Sequence, residues 1–174
     1  MEYRHGLVIV NTGNGKGKST AAFGTALRAA GNGMRVLIVQ FLKGKWKTGE
    51  CEAFRQFPNV EFRAMGEGFT WDTKDRERDT RVALDAWKYA RETILAGQTD
   101  LVVLDELLYA LDYDYVPVTD VLAALQTRPE HVHVILTGRN AKPELIDLAD
   151  LVTEMRDVKH PYKKGVKAQR GIEW

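Results

Sequence analysis

Leu7-Val-Ile-Val-Asn-Thr-Gly-Asn-Gly-Lys-Gly-Lys-Ser-Thr20 joins a short apolar run to a glycine-rich turn and then to an alanine-rich helical pattern. Strand, loop and helix in that order are the context a phosphate-cradling loop requires. Glycines allow successive backbone amides to turn inward, the helix N-terminus adds partial positive charge, and Lys18 can reach phosphate as a point charge. Ser19 is then placed to offer its hydroxyl to a magnesium ion. The candidate nucleotide-binding residues are Gly13, Asn14, Gly15, Lys16, Gly17, Lys18, Ser19 and Thr20. In the pattern G-x-x-x-x-G-K-[ST] the first glycine belongs at position 12, where this chain has Thr12, and the glycine follows at Gly13. A glycine-rich turn capping a helix is the plainer alternative. The coincidence of strand, loop, Gly-Lys-Ser and helix favours phosphate.

Working outward, β-rich runs alternate with helical patterns along the chain, the arrangement that yields a parallel sheet covered by helices on both faces. Leu7 to Val10 reads as a first strand, followed by a helix from about Ser19 to Ala30 that ends at Gly31 or Gly33. Further strands are expected at Val36 to Phe41, Val60 to Ala64, Leu101 to Leu104, Val132 to Leu136 and Leu151 to Val158. The alternation in Val60 to Ala64 gives that strand one polar face, whereas Leu101 to Leu104 is apolar throughout, as in a strand buried on both sides. Helices are expected around Glu50 to Phe57, from Lys74 to Ala96, after Pro117, and from Pro143 to Leu148. Ala83, Ala86, Trp87, Ala90 and Ile94 form one apolar stripe on the longest of these. The stretch from His160 to Trp174 is basic and has no clear period.

The chain has 174 residues, 44% of them apolar, enough for a single sizeable core. No linker, repeat or low-complexity tract divides it, so residues 1–174 are expected to form one α/β domain of the P-loop type. With 25 Lys and Arg against 24 Asp and Glu the net charge is +1, which exerts no global pull on nucleic acid or anionic membrane. The lone Cys51 cannot form an internal disulfide, and no run resembles a signal peptide or membrane span. A cytoplasmic setting is expected.

Asp105 and Glu106 end the most apolar strand, where the metal-holding acid of phosphate-binding folds sits. No Ser, His and Asp spacing suggests a nucleophilic triad, and no Cys and His set suggests zinc. His131 and His133 could share a strand face, but two histidines without a third ligand read as ordinary surface or core residues. Lys43-Gly-Lys-Trp-Lys47 could grip single-stranded nucleic acid by charge and stacking, although a run this short reads more simply as a solvated loop. The chain thus offers charge stabilisation without an evident covalent catalyst, as suits a reaction whose nucleophile comes from another molecule.

Thr12 to Thr20, Gly66-Glu-Gly-Phe-Thr-Trp71, Leu104-Asp-Glu-Leu107, Leu136-Thr-Gly-Arg139 and Gly165-Val-Lys-Ala-Gln-Arg-Gly-Ile-Glu-Trp174 together resemble the P-loop type of ATP:corrinoid adenosyltransferase. The resemblance spans nearly the whole chain and implies a RecA-like fold, ATP as co-substrate, Mg2+, and a corrinoid, cobalamin or a precursor, as acceptor. It implies attack by Co(I) on the 5′ carbon of ATP with release of triphosphate, and an electron donor that reduces the corrinoid. It carries Lys18 over as a catalytic residue, and Ser19 and Glu106 as magnesium contacts with Asp105 a weaker third. Arg28 and Arg139 are candidate nucleotide contacts, Arg28 reading equally well as a solvated helix residue and Arg139 being the better placed of the two. Phe69 and Trp71 are candidates for crowding the lower face of the corrin ring, which displaces its axial ligand and eases reduction. Partial ordering of the tail is expected from Ile172 and Trp174, and a homodimer from the resemblance. Longer family members cover the site with an N-terminal extension, so here either another segment closes the pocket or the site is more open.

Overall fold

The computed structural model describes residues 5–42, 48–66 and 75–173. Six strands, β1 (Val8–Thr12), β2 (Val36–Gln40), β3 (Val60–Ala64), β4 (Leu101–Asp105), β5 (His133–Thr137) and β6 (Leu151–Glu154), form one sheet in the order β3-β2-β4-β5-β1-β6. Every pairing is parallel. Between them run α1 (Lys18–Gly31), α2 (Gly49–Phe54), α3 (Arg76–Ala96), α4 (Leu107–Asp112), α5 (Val118–Thr127) and α6 (Pro143–Leu148).

Strand periodicity divides the core in two. Val8, Val10, Leu37, Val39, Val102, Leu104, Val134 and Leu136 face the side covered by α3, α4 and α5. Their neighbours Val36, Ile38, Leu101, Val103 and Ile135 face α1, where Ala22, Phe23, Ala26, Ala29 and Ala30 are buried. Strands buried on both faces need apolar residues at every position, which is why the central ones carry no polar alternation. Small alanines let α1 lie close to the sheet. On the other face Trp87 and Ile94 of α3 are both nearly inaccessible.

The expected polar face of Val60 to Ala64 is found at the sheet edge. Val60 and Phe62 pack inward, while Glu61 accepts from the Tyr89 hydroxyl at 2.9 Å and from Arg63 Nε at 2.6 Å. Helix α3 starts at Arg76, where the Asp75 carboxylate accepts from the Arg78 amide at 3.1 Å, and stops at Gly97, whose φ of 64° is a left-handed cap. Of the two glycines offered as the end of α1, Gly33 takes the positive φ.

Two elements depart from the sequence reading. Helix α4 was not expected, because Leu107-Leu-Tyr-Ala-Leu-Asp112 is short and nearly all apolar, so its period merges with the strand before it. Strand β6 stops at Glu154 rather than running to Val158. At Met155 the chain leaves the sheet edge and crosses the glycine-rich loop, so the later residues have no strand partner.

Candidate active site

The parallel register brings the C-terminal ends of β1, β2, β4 and β5 to one edge, where ligands of open α/β sheets collect. Gln40 is opposite Asp105 in the ladder, and Thr137 follows Leu136, the partner of Leu104. The loop after β1 enters α1 through Gly17 at φ 108°, and no side chain caps the helix. The first-turn amides therefore point toward the loop without a side-chain acceptor from that position, the local condition for an anion site.

Gly13 explains itself once β6 is in place. Its φ is 97°, and a Cβ there would lie 2.4 Å from the Met155 carbonyl oxygen. The Met155 carbonyl also accepts from the Gly15 amide at 2.7 Å, while the Met155 amide donates to the Thr12 carbonyl at 2.8 Å. The chain after β6 thus clamps the first half of the loop. The glycine one position late in the pattern is set by this close approach.

Lys18 opens α1 and donates from Nζ to the Gly15 carbonyl at 2.7 Å. Burial lowers its pKa from the ordinary value of 10.5. The nearby positive charges of Arg139 and Lys16 push the same way, and Glu106 opposes them. A half-buried ammonium among other cations is destabilised until an anion arrives.

Glu106 sits between β4 and α4 at φ 65°, one of three non-glycine residues with positive φ among the described residues. Its amide donates to Thr137 Oγ1 at 2.9 Å, and that hydroxyl in turn donates to Asp105 Oδ1 at 2.8 Å. Gln40 Nε2 holds the other Asp105 oxygen at 2.8 Å. Asp105 is fully buried, with both carboxyl oxygens turned to protein donors. It is a scaffold under Glu106, and it is Glu106 that lines the cavity. A left-handed non-glycine conformation costs about 1–3 kcal/mol and is found where surrounding contacts impose it.

The cavity at this edge has a volume of about 180 Å³ and is lined by Lys16, Lys18, Ser19, Thr20, Glu106 and Thr137, with Glu50, Tyr109, Ile172 and Glu173 at its margins. A larger one, about 560 Å³, opens at the opposite edge beside Arg35, Asn59 and Tyr89. Size does not decide between them, since only the smaller one is walled by the phosphate loop. Among the described residues no group of three or more His, Cys, Asp and Glu could hold a metal by itself. Ser19 and Glu106 do offer hard oxygens beside Lys18, a set that suits magnesium when phosphate and water supply the remaining ligands.

Several sequence-predicted residues therefore converge: Lys16, Gly17, Lys18, Ser19, Thr20 and Glu106 line one cavity, and Arg139 is near enough to perturb Lys18. Asn14 is exposed on the loop. Arg28 does not join them. It lies ten residues along α1 from Lys18, about 15 Å at helical rise, and lines a separate cavity with Ile9, Met34 and His133. The two histidines have structural roles: the His133 ring accepts from the Leu7 amide at 3.0 Å, and His131 contacts the Gly97 carbonyl at 3.0 Å. Phe69, Trp71 and the Lys43 to Lys47 loop lie outside the described residues. In the tail Ile172 is 79% exposed, Glu173 pairs with Lys16, and Trp174 lies outside the described residues. Sequence reasoning missed Glu50, Tyr109, Thr137 and Glu173 as lining residues. For Thr137 the signal was its position at a strand end next to a Gly-Arg pair.

The parallel sheet, the loop after β1 and the acidic end of β4 define a P-loop nucleotide-binding domain of the RecA-like type. Solved structures of that architecture are similar. The flagellar accessory protein FlaH from Methanocaldococcus jannaschii aligns over 87% of this chain and 71% of its own, with a TM-score of 0.60 and 15% identity. The cytoplasmic domain of EssC aligns over 94% and 34%, with a TM-score of 0.53 and 16% identity. At such identity these likenesses speak for the fold alone.

The chain belongs to the ATP:corrinoid adenosyltransferase family BtuR/CobO/CobP, whose sequence model matches residues 4–174. It is 50% identical over 169 residues to the corrinoid adenosyltransferase CobA of Salmonella typhimurium, covering 97% of this chain and 86% of the relative. It is 52% identical over 170 residues to the corrinoid adenosyltransferase of Pseudomonas aeruginosa, covering 97% and 84%.

Proposed function

We infer that this protein transfers the 5′-deoxyadenosyl group of ATP to the Co(I) centre of a reduced corrinoid and releases inorganic triphosphate. Family membership at about half identity over nearly the whole chain supports the activity. The observation that carries the reading onto this chain's own residues is the cavity in which Lys18, Lys16 and the N-terminus of α1 meet.

In the transfer an electron pair on cobalt forms the cobalt–carbon bond, the C5′–oxygen bond breaks, and its pair departs on the triphosphate. No proton leaves the nucleophile, so no general base is required. The protein's task is to stabilise charge gathering on the leaving group and to hold the adenosyl carbon toward the corrinoid. Lys18 and the first-turn amides of α1 meet the phosphates. Lys16 and Arg139 add positive potential, and Glu106 is held by Thr137 and Asp105. Magnesium, held by Ser19 and Glu106, would neutralise phosphate oxygens there. Phe69 and Trp71 are assigned to the corrinoid by resemblance.

The whole chain is taken as one domain acting as a homodimer in the cytoplasm, supplied by an electron donor that reduces the corrinoid. Among the described residues no helix is long and apolar enough to cross a membrane. Anaerobic incubation with ATP, magnesium, a corrinoid and a strong reductant tests the activity. The expected product shows the absorbance of an alkylated cobalt and loses it on exposure to light. Failure to form it with folded protein and confirmed Co(I) would remove the assignment.

A further inference from the structure

The C-terminal tail places a carboxylate on the phosphate loop. Residues 161–172 are all exposed, and the chain becomes part-buried again at Glu173, whose Oε2 pairs with Lys16 Nζ at the edge of the loop cavity. Amides of Ile172 and Glu173 both donate to the Gln169 carbonyl, at 3.2 and 2.8 Å, so a local turn presents the carboxylate. Glu173 and Ile172 line the same cavity as Lys18, Ser19 and Glu106.

We propose that Glu173 is an internal counter-anion, which occupies Lys16 while the loop is empty, yields Lys16 to the triphosphate, and returns to it as the triphosphate product leaves. The proposal rests on the loop being the nucleotide site. Charge and magnitude decide the direction. With Lys16 half exposed and Glu173 17% exposed, the ion pair contributes about 1 kcal/mol, and the exposed run before Glu173 adds no core anchorage to hold it. A triphosphate brings several charges to Lys18 and the α1 amides at once, with stronger charge-assisted bonds, so it wins the competition. Glu173 cannot share the site without cost, because Glu50 and Glu106 already line the same cavity and a further carboxylate would face the phosphate oxygens. After transfer the triphosphate has lost its link to adenosine but keeps its charge. A carboxylate returning to Lys16 weakens the hold on it.

The test uses the full chain, a Glu173→Gln variant and a chain ending at Arg170, each titrated with inorganic triphosphate and with MgATP by calorimetry. Both altered chains are expected to bind triphosphate about two- to fivefold more tightly than the unaltered one, the range for releasing one partly exposed ion pair. In the unaltered chain, triphosphate is expected to speed tryptic cleavage after Arg170. Unchanged or weaker binding by Glu173→Gln, or protection of Arg170 by triphosphate, would overturn the proposal. Absence of any triphosphate or ATP binding by the unaltered chain would instead overturn the nucleotide site on which it rests.

Discussion

The Thr137 hydroxyl joins two acids that are neighbours in sequence but differ in role: it donates to Asp105 Oδ1 at 2.8 Å and accepts from the Glu106 amide at 2.9 Å. One side chain from β5 thereby fixes a buried carboxyl at the end of β4 and the strained backbone of the residue after it. Thr137→Val keeps the shape but leaves Asp105 Oδ1 without this donor, at an expected cost of about 1–3 kcal/mol in denaturant unfolding. Turnover should fall further than stability, since Glu106 loses its fixed aim, and Thr137→Ser should restore most of both. Full activity in Thr137→Val would show that the network does not position Glu106.

Lys18 is kept near other positive charges, and burial lowers its pKa below 10.5. Between that lowered value and 10.5 the unfolded chain binds more protons at this residue than the folded one, so this contribution makes the folded state more stable as pH rises through the window. Anion binding needs the ammonium and is lost across the same window. Lys18→Met should therefore abolish measurable triphosphate binding while the nucleotide-free protein melts no lower than the original. A clear fall in Tm would contradict the sign of the effect.

Gly13 and Gly17 both have positive φ, but their surroundings differ. A Cβ on Gly13 meets the Met155 carbonyl at 2.4 Å, whereas one on Gly17 meets nothing within 4 Å. Gly13→Ala should combine backbone strain of about 1–3 kcal/mol with displacement of the loop from Glu154 and Met155. Gly17→Ala carries the strain alone. Thermal unfolding should rank Gly13→Ala as clearly the less stable, and equal losses would mean that the β6 clamp is not tight.

Much of this fold was legible because central parallel strands must be apolar on both faces, and Val36 to Val39 and Leu101 to Leu104 are. The Gly17 to Thr20 end of the loop was legible for a similar reason, since turn and helix constrain it locally. Contacts made at long range were not. Nothing in a linear reading says that Met155 would press on Gly13, that Thr137 would bridge Asp105 to Glu106, or that Glu173 would reach Lys16. Arg28 is the opposite case: a charge on the same helix as the loop is near it in sequence, yet about three turns of helix carry it to a separate cavity beside Ile9, Met34 and His133.

Phe69 and Trp71 are assigned by resemblance to the lower face of the corrin ring, where displacing the axial ligand makes cobalt easier to reduce. Replacing both with alanine should slow the reaction from Co(II) far more than that from preformed Co(I), measured as single-turnover rates. Equal losses from the two starting states would remove the ligand-displacement role.

In the proposed reaction the loop grips a leaving group rather than a phosphoryl group to be transferred. Phosphorus NMR of the reaction with ATP and Co(I) corrinoid tests it most directly. One inorganic triphosphate should form for each cobalt–carbon bond, with no ADP. Accumulation of ADP and phosphate in place of triphosphate would show that the loop presents the terminal phosphorus instead.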